Sequence, residues 1–274
     1  ICKRCNHLFY DNFLSQNKIK NYYKNKFSTS LIKKITVSYK YYKLLKKFKK
    51  NYRNKNILDF GCGSGEMLNG LKLKGYKKLY GVEISNDRRK VAKLIIKNTF
   101  SDINKIKNVK FDIIFLNHVL EHLVNIQNII KILKSKINRD GIIIINVPNT
   151  EYENVISQIV FHPHLHKFTF KSMNELAKSN KLSMNIMNSY RSDEISVFLS
   201  KIVNKNKANL KNTKLNFFLK RFENLILSSL GNENKIFTHS KSGLMQHLSN
   251  YERKKTYFEV KGLFKFFYFI LFKL

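Results

Sequence analysis

Residues 57–68 read ILDFGCGSGEML. Four apolar or acidic residues of strand type run into glycines at positions 61, 63 and 65, and a helical pattern follows at once. A strand that turns straight into a helix through a glycine loop exposes backbone N–H groups and a helix N-terminus at the carboxyl end of the strand. In open α/β sheets that crevice is where ligands bind. Glycine suits the loop because a Cβ would block close approach of backbone to ligand.

The sequence around this unit alternates in the same way. Strands are expected at 56–60, 79–84, 111–116 and 141–147, with helices at 67–74, 87–97 and 126–137 between them. Short apolar strands separated by helices require a parallel sheet covered on both faces. Further on, a helix over 172–180 and a strand over 182–190 are expected, while 195–203 fits strand or helix. Residues 15–55 read as one or two amphipathic helices, from apolar spacings such as Tyr41, Leu44, Leu45 and Phe48.

Three acids accompany the glycines. Asp59 precedes them, Glu83 closes the next strand 22 residues after Gly61, and Asp102 follows the next helix. A carboxylate at the end of the second strand can accept both hydroxyls of a ribose. Two ligand classes fit, a dinucleotide and S-adenosylmethionine. The third glycine comes one residue too early for the G-x-G-x-x-G pattern that lets a helix approach a pyrophosphate. An acid beside the loop suits a cationic sulfonium better than a diphosphate.

The runs ILDFGCGSGEML, LYGVEIS, FDIIFLNHVLEHLVN and DGIIIINVPN, in this order over residues 56–149, resemble the successive motifs of the class I S-adenosylmethionine-dependent methyltransferases. The resemblance implies a Rossmann-like, seven-stranded, mostly parallel α/β sheet with helices on both faces, an N-terminal helical flank and a C-terminal cap. It implies that Asp59, Gly61, Cys62, Gly63 and Gly65 surround the methionine part, and that Glu83 with Ile84 holds the ribose. Asp102 then lies near the adenine, and Asn117 and His118 line the sulfonium. Cys62 itself reads as a small residue that fits the loop.

The segment HLHKFTFKSMNELAKSNKLS, residues 164–183, is similar to one that follows the fifth strand in a small-molecule subfamily. His162, His164 and His166 alternate and would share a face if extended. His166 first, then His164, is expected to face the acceptor as general base, since neutral imidazole takes a proton near pH 7. No metal ligand set is assigned. Glu121 and His122 are read as capping the following helix and fixing its loop, with a divalent-metal role as the alternative.

CKRCNHLFY, residues 2–10, with Tyr22 and Tyr23 beyond it, resembles the second half of a zinc-ribbon-like start in some of these enzymes. Structural zinc wants four ligands. Cys2 and Cys5 supply two, with His7 as a candidate third, so structural zinc is not expected in this chain as it stands. The expected division is 1–14 partial knuckle, 15–55 helical flank, 56–203 cofactor-binding domain and 204–274 helical and aromatic extension.

The net charge of +34 raises nucleic acid or an anionic membrane as a partner. Of the 52 basic residues 44 are Lys and 8 are Arg, beside 33 Asn and 2 Pro, the signature of A/T-rich codons. Arg, not Lys, recognises phosphate bidentately. Residues 1–55 carry +15, 56–200 carry +8 and 201–274 carry +11, so the excess flanks the motifs. No RNA-binding module is recognisable, and no specific nucleic-acid partner is expected.

Three cysteines in 274 residues make no disulfide framework and fit a reducing compartment. The first residues lack the apolar run of a signal peptide, and no stretch reaches the ~18 uncharged apolar residues of a membrane helix. The expected location is cytoplasmic, with peripheral membrane contact through the aromatic tail GLFKFFYFILFKL as the alternative. The resemblance implies methyl transfer to a small molecule, a sugar or nucleotide-linked sugar of surface-glycan synthesis. The alternatives are an RNA-directed enzyme using the basic flanks, or a peripheral membrane enzyme acting on a lipid-linked or quinone substrate.

Overall fold

In a computed structural model the described residues are 2, 5, 7–9, 21, 35–48, 51–151, 164–188 and 192–202. Their elements follow in chain order as β1 (Leu8–Phe9), α1 (Lys40–Leu45), β2 (Ile57–Phe60), α2 (Glu66–Leu73), β3 (Leu79–Val82), α3 (Asn86–Ile95) and β4 (Thr99–Phe100). Next come β5 (Phe111–Asn117), α4 (Ile126–Lys136), β6 (Ile137–Pro148), β7 (His166–Lys167), α5 (Phe170–Ser179), β8 (Ser183–Ile186) and β9 (Glu194–Ser200).

Seven strands form one sheet in the order β4-β3-β2-β5-β6-β9-β8. The pairs among β2 to β6 are parallel, whereas β9 is antiparallel to both its neighbours, β6 and β8. The segment that read equally as strand or helix is therefore strand. Ile195, Val197 and Leu199 are fully buried on one face, and Ser196, Phe198 and Ser200 on the other are buried or half-buried, so both faces are covered.

Both faces of the sheet are dry because side chains alternate across each strand. On β5, Ile114 and Leu116 pack with Ile130 and Leu133 of α4 and with Met173, Leu176 and Ala177 of α5. Ile113 and Phe115 pack on the other face with Leu68 and Leu71 of α2, Ala92 and Ile95 of α3, and Tyr41 and Leu45 of α1. Complete burial of each such aliphatic chain contributes roughly 1.5–3 kcal/mol.

The described part of the N-terminal flank packs closely on α2. Ser38 donates its N–H to Glu66 O at 3.0 Å, and a Cβ on Gly70 would lie 2.0 Å from Ser38 O. β1 pairs antiparallel with β7, with Phe9 opposite His166. The helical and aromatic extension expected at 204–274, Tyr22, Tyr23 and His162 lie outside the described residues. No helix among the described residues is long and apolar enough to cross a membrane.

Candidate active site

The glycine loop leaves β2 at the carboxyl edge of the parallel strands. Gly61, Gly63 and Gly65 all have left-handed φ, at 83°, 55° and 86°, where a side chain is costly. Gly61 N–H and Cys62 N–H both donate to Val82 O, at 2.7 and 3.0 Å, which fastens the loop to the end of β3. Gly61 also has no room for more, since a Cβ there would sit 2.4 Å from Val119 Cγ2. Cys62 is buried with its sulfur turned toward Gly81, where a Cβ would lie 2.8 Å from Sγ.

Glu83 follows β3 directly and is buried. Its Oε2 accepts from Gly63 N–H at 2.9 Å and its Oε1 from Ser85 N–H at 2.7 Å. A carboxylate has about four acceptor sites, so each oxygen retains capacity for a hydroxyl. Arg89 Nη1 donates to the carbonyls of Glu83 and Ile84 at 2.7 and 3.1 Å, fixing the backbone there. A loop of left-handed glycines facing a backbone-held carboxylate fits a ribose-bearing ligand such as S-adenosylmethionine.

Asp59 on β2 is buried, and Tyr41 OH donates to its Oδ1 at 2.9 Å. The Tyr41 ring stacks on Phe115 with centroids 3.7 Å apart. Burial pushes the Asp59 carboxyl up to about 7; the Tyr41 hydrogen bond works against that and the Glu83 charge adds to it. Asp102 lies two residues past β4, is exposed, and accepts from Asn104 N–H at 2.7 Å. Asn117 ends β5 and accepts from Asn146 Nδ2 at 3.2 Å.

His118 adopts a left-handed φ of 53°, and its N–H donates to Asn146 O at 2.9 Å. That turn aims the ring between two acids. Nε2 lies 2.6 Å from Glu194 Oε1, and Nδ1 lies 3.4 Å from Glu121 Oε1. The Glu121 and Glu194 carboxylates outweigh burial and hold His118 up at about 9. Glu194, which also binds Lys40 Nζ at 3.0 Å, is pulled down to about 2, chiefly by His118. This chain of charges was not among the sequence candidates.

Glu121 does not cap the next helix. Asn125 caps α4, accepting from Asn128 N–H at 3.0 Å, while Glu121 sits fully buried in the turn Leu120–His122. His164 packs edge-on against His122, with ring centroids 4.7 Å apart. Its imidazole is held down at about 2 by burial and by the nearby His122, Lys167 and His118. His166 is turned toward the knuckle, its Nδ1 3.0 Å from His7 Nε2. Burial lowers its pKa, against backbone contacts from Leu123 and Val124. The two histidines thus serve different neighbours. Lys167, the residue after His166, is buried, which brings its amine down to about 7.

In the knuckle, Cys2 N–H donates to His7 O at 2.8 Å, and Thr169 Oγ1 donates to Cys5 O at 3.2 Å. Burial pushes the Cys5 thiol up; its hydrogen bond with the His7 backbone opposes this and Cys2 adds to it.

Residues 35–196 match the family model described as a methyltransferase domain. The match spans more than half the chain, which belongs to this family as an S-adenosylmethionine-dependent methyltransferase. Among solved structures, the chain is similar to magnesium protoporphyrin IX methyltransferase from Synechocystis PCC 6803 with bound SAH. The identity is 16%, covering 68% of this chain and 99% of that one, with a TM-score of 0.50. A methyltransferase from Clostridium acetobutylicum ATCC 824 is 14% identical over 67% and 98% of the two chains, with a TM-score of 0.48. The first of these likenesses carries the fold; no curated protein sequence matches the chain.

Proposed function

We propose that this chain methylates a small, anionic acceptor of the nucleotide-linked sugar class. S-adenosylmethionine is held by Asp59, Gly61, Cys62, Gly63 and Gly65 around its methionine part, by Glu83 and Ile84 at the ribose and by Asp102 at the adenine. Asn117 and His118 flank the sulfonium. When bound, this cofactor supplies a methyl group on a cationic sulfur that departs readily as a thioether. The protein's work is to hold the acceptor in line and take its proton, and proximity supplies much of the rate.

The observation that carries the reading is the pairing of three left-handed glycines with Glu83, whose two oxygens accept backbone N–H groups at 2.9 and 2.7 Å. The anionic acceptor is supported by a groove of about 520 Å³ in which Lys40, Lys43 and Lys47 stand beside Val37, Ser38, Tyr39 and Leu44. Ser38 binds the first residue of α2, so the groove adjoins the helix that begins at the glycine loop. Proton removal is assigned to His166, a lowered-pKa imidazole whose contact with His7 at 3.0 Å lets a proton be shared between two rings.

Calorimetric titration with S-adenosylmethionine tests the cofactor site. Glu83→Ala is expected to weaken binding roughly 10- to 100-fold, the value of one or two charged hydrogen bonds. Wild-type affinity in that variant would sink the ribose assignment. Turnover is then compared between nucleotide sugars and RNA at two salt concentrations. Methylation of RNA with steep salt dependence would replace the small-molecule reading with the RNA-directed one. His166→Asn should lose kcat while keeping cofactor affinity, and retained kcat would remove His166 as the base.

A further inference from the structure

We propose that Glu121, His122 and His164 form a binding site for one divalent transition-metal ion. Among the described residues this group offers one carboxylate oxygen and two imidazole nitrogens whose ligand atoms all lie within 4.8 Å of one another. Donors on a single ion with bonds of about 2.0–2.2 Å lie at most about 4.4 Å apart, so a shift of a few tenths of an ångström brings the three into one shell. The three residues come from two distant places in the chain, the turn after β5 and the segment entering β7.

Glu121 supplies the independent reason. It is fully buried, yet among the described residues neither of its carboxylate oxygens accepts a hydrogen bond. His118 Nδ1 and His122 Nε2 stand 3.4 and 3.9 Å from Oε1, too far or too oblique for one. Leaving a buried carboxylate without hydrogen bonds is costly, and buried charges are normally paired or bound to a metal. A cation between Glu121, His122 and His164 answers that deficit directly.

The donor set selects the ion. Two imidazoles to one carboxylate favour Zn²⁺, Fe²⁺, Co²⁺ or Mn²⁺ over Mg²⁺ or Ca²⁺, which prefer all-oxygen shells. Three protein ligands leave coordination positions open for water or for an acceptor oxygen. The site lies at the cofactor loop, since Val119, two residues before Glu121, is the residue packed on Gly61. A role toward the acceptor rests on the methyl-transfer reading; occupancy by metal does not.

The full chain, stripped of metal, is titrated with Co²⁺ and followed by its visible d–d absorption. One equivalent is expected to bind with bands of mixed nitrogen and oxygen ligation. His164→Asn and Glu121→Gln should each weaken that binding 100-fold or more, while Cys2→Ser combined with Cys5→Ser leaves it unchanged. His164 is only partly buried, so its variant keeps the test open should Glu121→Gln fail to fold. Absence of stoichiometric binding, binding that survives His164→Asn, or a signal lost with the two cysteines would each overturn the site. Cofactor affinity measured on the same samples reports separately on the glycine loop.

Discussion

His118 Nε2 and Glu194 Oε1 stand 2.6 Å apart across 76 residues of sequence, joining the end of β5 to the start of β9. Lys40 Nζ, 3.0 Å from the same carboxylate, ties α1 into the contact. Three elements, β5, β9 and α1, therefore meet on one acid.

The pH range of that contact follows from its two groups. His118 is raised to about 9, so its contribution is complete below about 6.5 and disappears as pH rises through 9. Glu194 is lowered to about 2, so its contribution is present above about 4.5 and is lost as pH falls through 2. Glu194→Gln should reduce the alkaline loss of stability, leaving the part that Glu121 maintains. Because His118 is 40% exposed, the cost at neutral pH should be only about 1 kcal/mol. Denaturant titrations at pH 7 and 9.5, with the His118 ring followed by NMR, measure both.

Asp59 predicts a slope of the same sign as that of His118, at lower pH, and opposite to that of Glu194. Its native carboxyl holds a proton up to about 7, against about 3.9 in the unfolded chain, so stability falls as pH rises between those values. Asp59→Asn should flatten that interval. A cationic ligand beside Asp59 would favour the carboxylate, so cofactor binding at pH 6 should release a proton. Calorimetry in two buffers of different ionisation enthalpy detects it, and equal heats would place the ligand's charge elsewhere.

Gly61→Ala combines two penalties. A non-glycine residue at φ 83° costs roughly 1–2 kcal/mol, and the added Cβ collides with Val119 Cγ2 at an overpacking cost of about 1–3 kcal/mol. Adding Val119→Ala should relieve the collision but not the backbone strain. A double variant only partly recovered in thermal melts is expected, whereas full recovery would argue against the strain.

Gly70→Ala tests how the N-terminal segment is attached. In an unconstrained helix the change stabilises by about 1 kcal/mol. Here the Cβ would meet Ser38 O at 2.0 Å, so a net loss is expected. Hydrogen exchange at Ser38 N–H, which donates to Glu66 O, should accelerate as residues 35–48 lift from α2.

The parallel core was legible because β2, β3, β5 and residues 141–147 of β6 are short, mostly buried apolar runs with helix-period segments between, whereas the two-residue β4 carries no such run. Glu83 was legible for a local reason, since it ends the strand after the glycine loop. His118 with Glu194 was not, because only the antiparallel seating of β9 brings residue 194 to the carboxyl edge of β6. Tyr41 read as one apolar residue in a helical stripe. A buried phenol needs a hydrogen-bond partner, but nothing local names Asp59 as that partner. Glu121 was taken for a cap from its position, and the Asn125–Asn128 spacing was the better signal.

The antiparallel strand also dictates when this site can exist during synthesis. Among the described residues β9 is the last strand of the sheet to emerge, yet it lies between β6 and β8, and its leading residue is Glu194. A nascent chain that has made β8 still has β6 with an unpaired edge, β8 without its neighbour, and His118 without its closer acid. Closure of the sheet and completion of the charge chain are then a single event, so partly made chains carry the glycine loop without the His118–Glu194 contact.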